Sequence, residues 1–341
     1  MSIGSHSKEH NQTAQRHAPR LAVVKVSEPP GRPDNLNPIP GVSAPIDSIA
    51  KAYNQAGRDY VAYADGNPNR LFSFSGLHAY SDRRVWSILE TKLHELKAAG
   101  ATSVTLLDAG CGPGTWLRRL VTRALMLGFK RITARGFDVA CAQIEIARHL
   151  ARDLASMPGV ELRFEVADLE GRMPEADASV DITVCLYSVL SHLRVTALPS
   201  VARELGRVTR GHLLATVRAI GSTPTIFVDS LEKVRQFRHD HSQDRCDVEL
   251  SDGQRISLRS HLFTAHELQA CLREYFEVED LCGLDLFHTR FAPDQRWNPA
   301  CNELSRPIEP DLEKLEEIYM RQDQFMDRAT HLLFVGRARK R

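Results

Sequence analysis

Three carboxylates stand at one kind of place in this chain. Asp108 closes the apolar run Val104-Thr105-Leu106-Leu107, Asp138 closes Arg131-Ile132-Thr133-Ala134-Arg135-Gly136-Phe137, and Asp168 follows Glu161-Leu162-Arg163-Phe164-Glu165-Val166. Each run is short and β-prone, and ligands of open α/β sheets lie just outside the carboxyl ends of the strands. Asp138 comes about one βαβ step after Asp108, the spacing at which an acid accepts from both hydroxyls of a ribose. Asp168 can accept from the exocyclic amine of adenine, and the Leu169 backbone N–H can donate to a ring nitrogen. One acid at a strand end is commonly a helix N-cap. Three at successive strand ends point to a bound nucleoside.

The first acid opens the turn Asp108-Ala109-Gly110-Cys111-Gly112-Pro113-Gly114. Glycine has no Cβ, so backbone here can approach a ligand closely. The dinucleotide fingerprint needs a third glycine three residues after Gly112, and position 115 is Thr; this disfavours a nicotinamide dinucleotide. No Gly-Lys-Ser/Thr follows, so the phosphate-loop pattern is absent too.

These residues need a scaffold, and the apolar spacing predicts one. Trp116, Leu117, Leu120, Val121 and Leu125 form a helical stripe after the turn. Ala142, Ile144, Ala147 and Leu150 mark a second, and Leu198, Val201 and Leu205 a third. Further strands are expected at 181–186, 211–218, 276–281 and 331–336. Strand and helix alternate, which predicts an α/β fold: a doubly wound, mostly parallel sheet of seven strands with helices on both faces.

Residues 1–45 are polar and proline-rich and are expected to be a disordered or loosely ordered tail. The folded part would span 46–341. Within it, residues 46–98 form a helical cap: Ile46, Ile49, Ala50, Tyr53 and Ala56 recur at helical spacing, and a second helix runs from about Ser81 to Ala98, stopped by Gly100. Residues 99–219 form the cofactor-binding core. Residues 220–263 are an insertion, where Ser251-Asp252-Gly253-Gln254 between alternating runs signals a β-hairpin after strand five. The hairpin either walls the substrate pocket or pairs with a second copy in a homodimer. Residues 264–341 complete the core and begin with a capping box, Thr264-Ala265-His266-Glu267. His239 and His241, at i and i+2, would share a strand face, but no third metal ligand is evident, and no metal is expected.

Asp-Ala-Gly-Cys-Gly-Pro-Gly resembles motif I of the class I S-adenosylmethionine (SAM) methyltransferases, and the resemblance extends over roughly 46–341. It implies SAM as cofactor, held by Asp108, Gly110, Cys111, Gly112, Asp138, Val139, Asp168 and Leu169. It also implies a last strand that runs antiparallel between strands five and six. Within that class, Tyr63-Ala64-Asp65-Gly66 and Cys185-Leu186-Tyr187-Ser188-Val189-Leu190-Ser191-His192-Leu193 resemble stretches of glycine N-methyltransferase. By that resemblance Leu186 touches the cofactor, and Tyr63, His192 and Arg218 face the substrate, Arg218 holding a carboxylate. Tyr187 and Ser188 stand where that enzyme has Gly-Asn, which implies a differently shaped pocket.

Methyl transfer from a sulfonium is an in-line displacement, so alignment supplies much of the acceleration. A base is needed only for a protonated acceptor, and His192 is the candidate, since imidazole titrates near neutrality. Tyr187 could orient the acceptor. The expected reaction is methylation of N or O in a small metabolite. The alternatives are a macromolecular substrate or a non-catalytic module that binds SAM or its demethylated product. Against a nucleic-acid substrate, no basic tract with interleaved aromatics occurs, and no Asn/Asp-Pro-Pro-aromatic sequence follows strand four.

The 341 residues are 43% hydrophobic, enough for a sizeable core, and carry a net charge of +1, so no overall field favours nucleic acid or a membrane. No apolar run is long enough to span a bilayer, and Met1–Arg20 lacks the apolar centre of a secretory signal. The seven cysteines form no Cys-x-x-Cys pair, which suits a reducing cytoplasm.

Overall fold

The computed structural model describes residues 49–65, 70–74, 78–222, 234–291 and 308–340. Contacts divide the chain into residues 1–44 and 45–341. The first unit lies outside the described residues, and so do Gly66 and Trp297.

Helices α1 (Ile49–Asp65) and α2 (Ala79–Ala98) come first. The core then alternates: β1 (Ser103–Ala109), α3 (Thr115–Met126), β2 (Arg131–Asp138), α4 (Cys141–Leu150), α5 (Arg152–Ala155), β3 (Val160–Val166), β4 (Val180–Cys185), α6 (Leu198–Val208) and β5 (Thr209–Arg218). The insertion carries β6 (Val234–Asp240), β7 (Arg245–Leu250) and β8 (Arg255–Arg259). The chain ends with α7 (Ala265–Leu272), β9 (Phe276–Leu284), α8 (His288–Phe291), α9 (Glu309–Tyr319), α10 (Asp323–Met326) and β10 (His331–Ala338).

Seven strands make one sheet in the order β3-β2-β1-β4-β5-β10-β9. All pairings are parallel except those of β10, which is antiparallel to both β5 and β9. This is the expected sheet, with the last strand inserted as expected. Every residue of β4 is buried, as a central strand covered on both faces requires. The stripes read from sequence face inward: Leu117, Leu120 and Val121 of α3 and Val201 and Leu205 of α6 are at most 1% exposed. Register sets the three acids along one edge, because Asp108 pairs with Gly136 and Asp138 with Val166.

Two elements differ from expectation. Helix α1 continues past Ala56 to Asp65, kinked at Gly57, whose φ of 49° and ψ of −123° only glycine adopts easily. The insertion is a three-stranded antiparallel sheet, β6-β7-β8, so the expected hairpin (β7–β8) gains a partner. Its side chains alternate: Cys246 and Val248 of β7 and Ile256 and Leu258 of β8 pack with Ala52, Tyr53 and Tyr60 of α1 in a second small core. Helix α1 is also tied to the start of α4, where Asn54 Oδ1 accepts from the Ala142 N–H at 2.9 Å and Gln143 Nε2 donates to the carbonyls of Tyr53 and Gly57. Helix α1 is thus clamped between the insertion and α4. Thr264 caps α7 as expected, its hydroxyl accepting from the Glu267 N–H at 3.1 Å, but the reciprocal half of the box is not made, because the Glu267 carboxylate lies 2.7 Å from His261 Nε2 instead. Among the described residues no helix is long and apolar enough to cross a membrane.

Candidate functional site

The glycine-rich turn is fastened to the end of β2. The N–H groups of Gly110 and Cys111 donate to the Phe137 carbonyl at 2.8 and 2.9 Å. Asp138 accepts from the Gly112 N–H through Oδ2 and from the Ala140 N–H through Oδ1, both at 2.9 Å. The turn needs its glycines for conformation as well as for access. Gly110 has a φ of 80°, and a Cβ there would lie 2.4 Å from Val189 Cγ2; Gly114 has a φ of 77°, and its Cβ would lie 2.6 Å from the Phe164 ring.

Two adjoining cavities open at this edge. The first, a cleft, is lined by Gly110, Gly112, Asp138, Val139, Asp168, Leu169 and Leu186. The second, a chamber, is lined by Asp108, Cys111, Tyr187, His192 and Arg218. Gly110, Gly112, Leu186, Tyr187 and His192 belong to both walls. The structure thus gathers every expected cofactor residue around two cavities that share walls. Tyr63 falls on α1, but its side chain lies outside the described residues. Tyr53 and Tyr60 of the same helix line both cavities instead. The sequence signal for them was available: positions 53, 56 and 60 recur on one helix face, a pattern that reads as packing.

The acids differ in state. Asp108 is 2% exposed and its Oδ2 has no hydrogen-bond partner. Burial, and then the charge of Asp138, push it up to about 8, against the bond from the Leu117 N–H. Asp138 is also raised, chiefly by burial. Asp168 is exposed and its Oδ1 accepts from the Glu170 N–H at 2.9 Å, a local turn contact.

Around the chamber, His192 Nδ1 lies 2.7 Å from the Arg259 carbonyl, which can only accept. The proton is therefore on Nδ1, and Nε2 accepts from the Tyr53 hydroxyl at 3.0 Å. Burial, helped by the positive charge of Arg218 and opposed by the Arg259 bond, lowers His192 to about 4. The Tyr187 hydroxyl donates to Asp82, and burial with that carboxylate holds the phenol far above its usual range. Tyr187 and Ser188 have φ values of 53° and 73°. These are consecutive left-handed residues without glycine, at a cost on the order of 1–3 kcal/mol each. The Tyr187 N–H donates to Thr216 Oγ1 at 2.6 Å, which helps hold that geometry. Arg218, at the end of β5, is buried; its N–H donates to Ser191 Oγ at 3.0 Å.

The insertion walls the chamber through His239, His241, Cys246 and Leu258. His239 Nε2 donates to the Ser260 carbonyl at 2.8 Å, and its ring centroid is 4.5 Å from that of His241. His78 and His331 complete the wall beside the main sheet. Neither was expected there, since they enter from the start of α2 and the start of β10, and no short motif joins them.

Residues 106–212 match the family described as a methyltransferase domain. No curated protein matches the chain in sequence. Among solved structures, the chain is similar to an S-adenosylmethionine-dependent methyltransferase from Methanosarcina mazei (17% identity, 69% of this chain and 92% of that one, TM-score 0.44). It is also similar to the [4+2]-cyclase SpnF (18% identity, 86% and 99%, TM-score 0.47). A third is a geranyl diphosphate C-methyltransferase from Streptomyces coelicolor (14% identity, 74% and 84%, TM-score 0.39). Residues 106–212, which build the glycine-rich turn and the central strands beside both cavities, thus match a methyltransferase domain.

Proposed function

We propose that the chain is an S-adenosylmethionine-dependent methyltransferase that methylates N or O of a small metabolite bearing an acidic group. The observation that carries this reading is the shared wall. A donor lying along the cleft reaches Gly110, Leu186 and Tyr187, and those residues also face the chamber that holds Arg218. Asp138 takes the ribose hydroxyls, Asp168 and the Leu169 N–H take adenine, and Val139 and Leu186 cover its faces. Asp108, a buried carboxylate with a partnerless oxygen, suits the ammonium of the donor's amino-acid end. When bound, the cofactor supplies a methyl group on a positively charged sulfur.

The chain's own residues align the acceptor. Arg218 binds its acidic group. The left-handed Tyr187-Ser188 pair changes the floor of the chamber relative to Gly-Asn, so the acceptor need not be glycine. His192 holds the Tyr53 hydroxyl, whose oxygen can accept from the acceptor's N–H or O–H. At about 4, His192 is neutral at physiological pH, which suits an acceptor that arrives with a free lone pair and sheds its proton after attack. The chamber, at 250 Å³, suits a small molecule. The six described cysteines are free thiols, in keeping with a cytoplasmic setting.

Calorimetric titration with SAM, S-adenosylhomocysteine and NAD, repeated on Asp138→Ala, tests the cofactor half. Saturable SAM binding that collapses in the variant supports it, and binding indifferent to Asp138 refutes it. Incubation with carboxylate-bearing amines and hydroxy acids, read by the mass gain of one methyl, tests the acceptor half. Methylation confined to a macromolecule in the same assay would overturn it.

A further inference from the structure

We infer that His78, Asp285 and His331 form a site for a divalent transition metal in the wall of the acceptor chamber. Each offers a ligand atom, these atoms lie within 4.8 Å of one another, and all three residues are buried. The three arrive from separate elements: His78 precedes α2, Asp285 follows β9, and His331 opens β10. Sheet register fixes two of them, because His331 pairs with Leu284 on one side and with Arg218 on the other. The backbone at Asp285 is held from both directions. Thr330 donates its N–H to the Leu284 carbonyl and its hydroxyl to the Asp285 carbonyl, both at 3.0 Å. Glu316 of α9 accepts the N–H groups of Leu286, Phe287 and His288 at 2.8–3.0 Å.

A buried histidine–aspartate ion pair is the simpler reading of the cluster, since His78 Nδ1 is 3.2 Å from Asp285 Oδ2. Ser81 also donates to that oxygen. It leaves two atoms unexplained. Asp285 Oδ1 and His331 Nδ1 are both buried with no hydrogen-bond partner, and such groups are costly unless something pairs with them. A cation drawn in by small side-chain rotations, with ligand distances of about 2.0–2.2 Å, would engage both. Two imidazoles and one carboxylate favour Zn²⁺, Fe²⁺ or Co²⁺ over Mg²⁺ or Ca²⁺, which prefer oxygen ligands.

The orientation of the site specifies the acceptor. His78 and His331 line the chamber, whereas Asp285 lies behind them with 0% exposure. The remaining coordination positions therefore face the space beside Arg218. They would take an acceptor that presents two oxygens to a metal, such as a vicinal diol or an α-hydroxy acid, and would lower the pKa of its hydroxyl. That hydroxyl gives its proton to solvent. Its oxygen then forms the new bond to the methyl carbon as the carbon–sulfur bond breaks, and the electron pair of that bond leaves the sulfur as a neutral thioether. This role rests on the methyltransferase reading above; the metal site itself does not.

Titrating the full chain with CoCl₂ and following its visible ligand-field bands tests the site directly. One equivalent should bind, ZnCl₂ should displace it, and His331→Gln and His78→Gln should each weaken binding by more than about 100-fold, since even supporting contacts are worth about 10–100-fold. His239→Ala should not. X-ray absorption of the Zn²⁺-loaded wild type should fit two imidazole nitrogens and needs no variant to fold. No saturable band, bands unchanged in His331→Gln, loss in His239→Ala alone, or an imidazole-free absorption fit would each overturn the site. SAM calorimetry on the same samples separates the two readings: SAM binding without metal sinks only the metal site, and metal binding without SAM sinks only the role assigned to it.

Discussion

The Tyr53 hydroxyl lies 3.0 Å from His192 Nε2, joining the helical cap to the loop after β4. The bond uses the lone pair through which His192 would otherwise act as a base. With burial and Arg218 holding it near 4, His192 stays neutral far below its usual range. Imidazole ¹⁵N shifts, assigned by comparison with His192→Gln, should show the neutral Nδ1–H form down to about pH 5. A titration centred near 6.5 would contradict this geometry.

Replacing Tyr53 by Phe removes the hydroxyl and keeps the ring against Tyr60. With an acceptor from the panel above, kcat should fall about 10-fold or more through lost orientation. SAM affinity should stay within about 3-fold, less than the tenfold that 1.4 kcal/mol represents. An equal loss in SAM binding would make Tyr53 a cofactor residue instead.

Asp108 makes the ligand-free protein pH-sensitive. Its folded pKa, about 8, lies above its unfolded value of 3.8, so between those limits the folded state holds a proton that the unfolded state has lost. Stability from this group is full below about pH 4 and declines as pH rises towards 8. Asp108→Asn should therefore raise the Tm of the free protein at pH 8, with the gain vanishing near pH 4, and should weaken SAM binding. Thermal melts across that range, with and without SAM, check both.

His261 has the opposite charge logic. Burial pulls it down, but hydrogen bonds to Asp244 at 2.8 Å and Glu267 at 2.7 Å, with their charges, outweigh that and raise it. A raised histidine stabilises fully below its unfolded pKa of about 6.5 and loses that contribution as pH rises through the folded value. Asp244 is the turn between β6 and β7, and the His261 N–H donates to the Ser191 carbonyl. Hydrogen exchange in the insertion should thus quicken relative to the main sheet from about pH 7 upward, and His261→Gln should abolish the difference.

Backbone conformation gives a paired test. Gly110→Ala puts a Cβ 2.4 Å from Val189 at a φ of 80° and should cost more than the roughly 0.4–1 kcal/mol typical of compatible exchanges. Ser188→Gly relieves a φ of 73° and should be neutral or stabilising by up to about 1 kcal/mol. Denaturant melts measure both.

Much of this protein was legible one stretch at a time. Strand ends, the glycine turn, Asp138 and Asp168, and the Thr264 cap follow from local periodicity and turn chemistry, because β-strands and capping boxes are set by residues within one or two turns of chain. The parallel sheet followed from the strand–helix alternation. Strand β6 was not legible: Val-Arg-Gln-Phe-Arg-His-Asp has weak alternation and acquires its state only by pairing with β7. The continuation of α1 past Gly57 is likewise decided by its packing on the insertion and on α4. The chamber is the clearest case. Tyr53, His192 and Arg259 come from three elements, and His78, Asp285 and His331 from three others. Their spacing along the chain carries no signal, because the groups meet through sheet register and helix docking, interactions between residues that lie from tens to hundreds of positions apart.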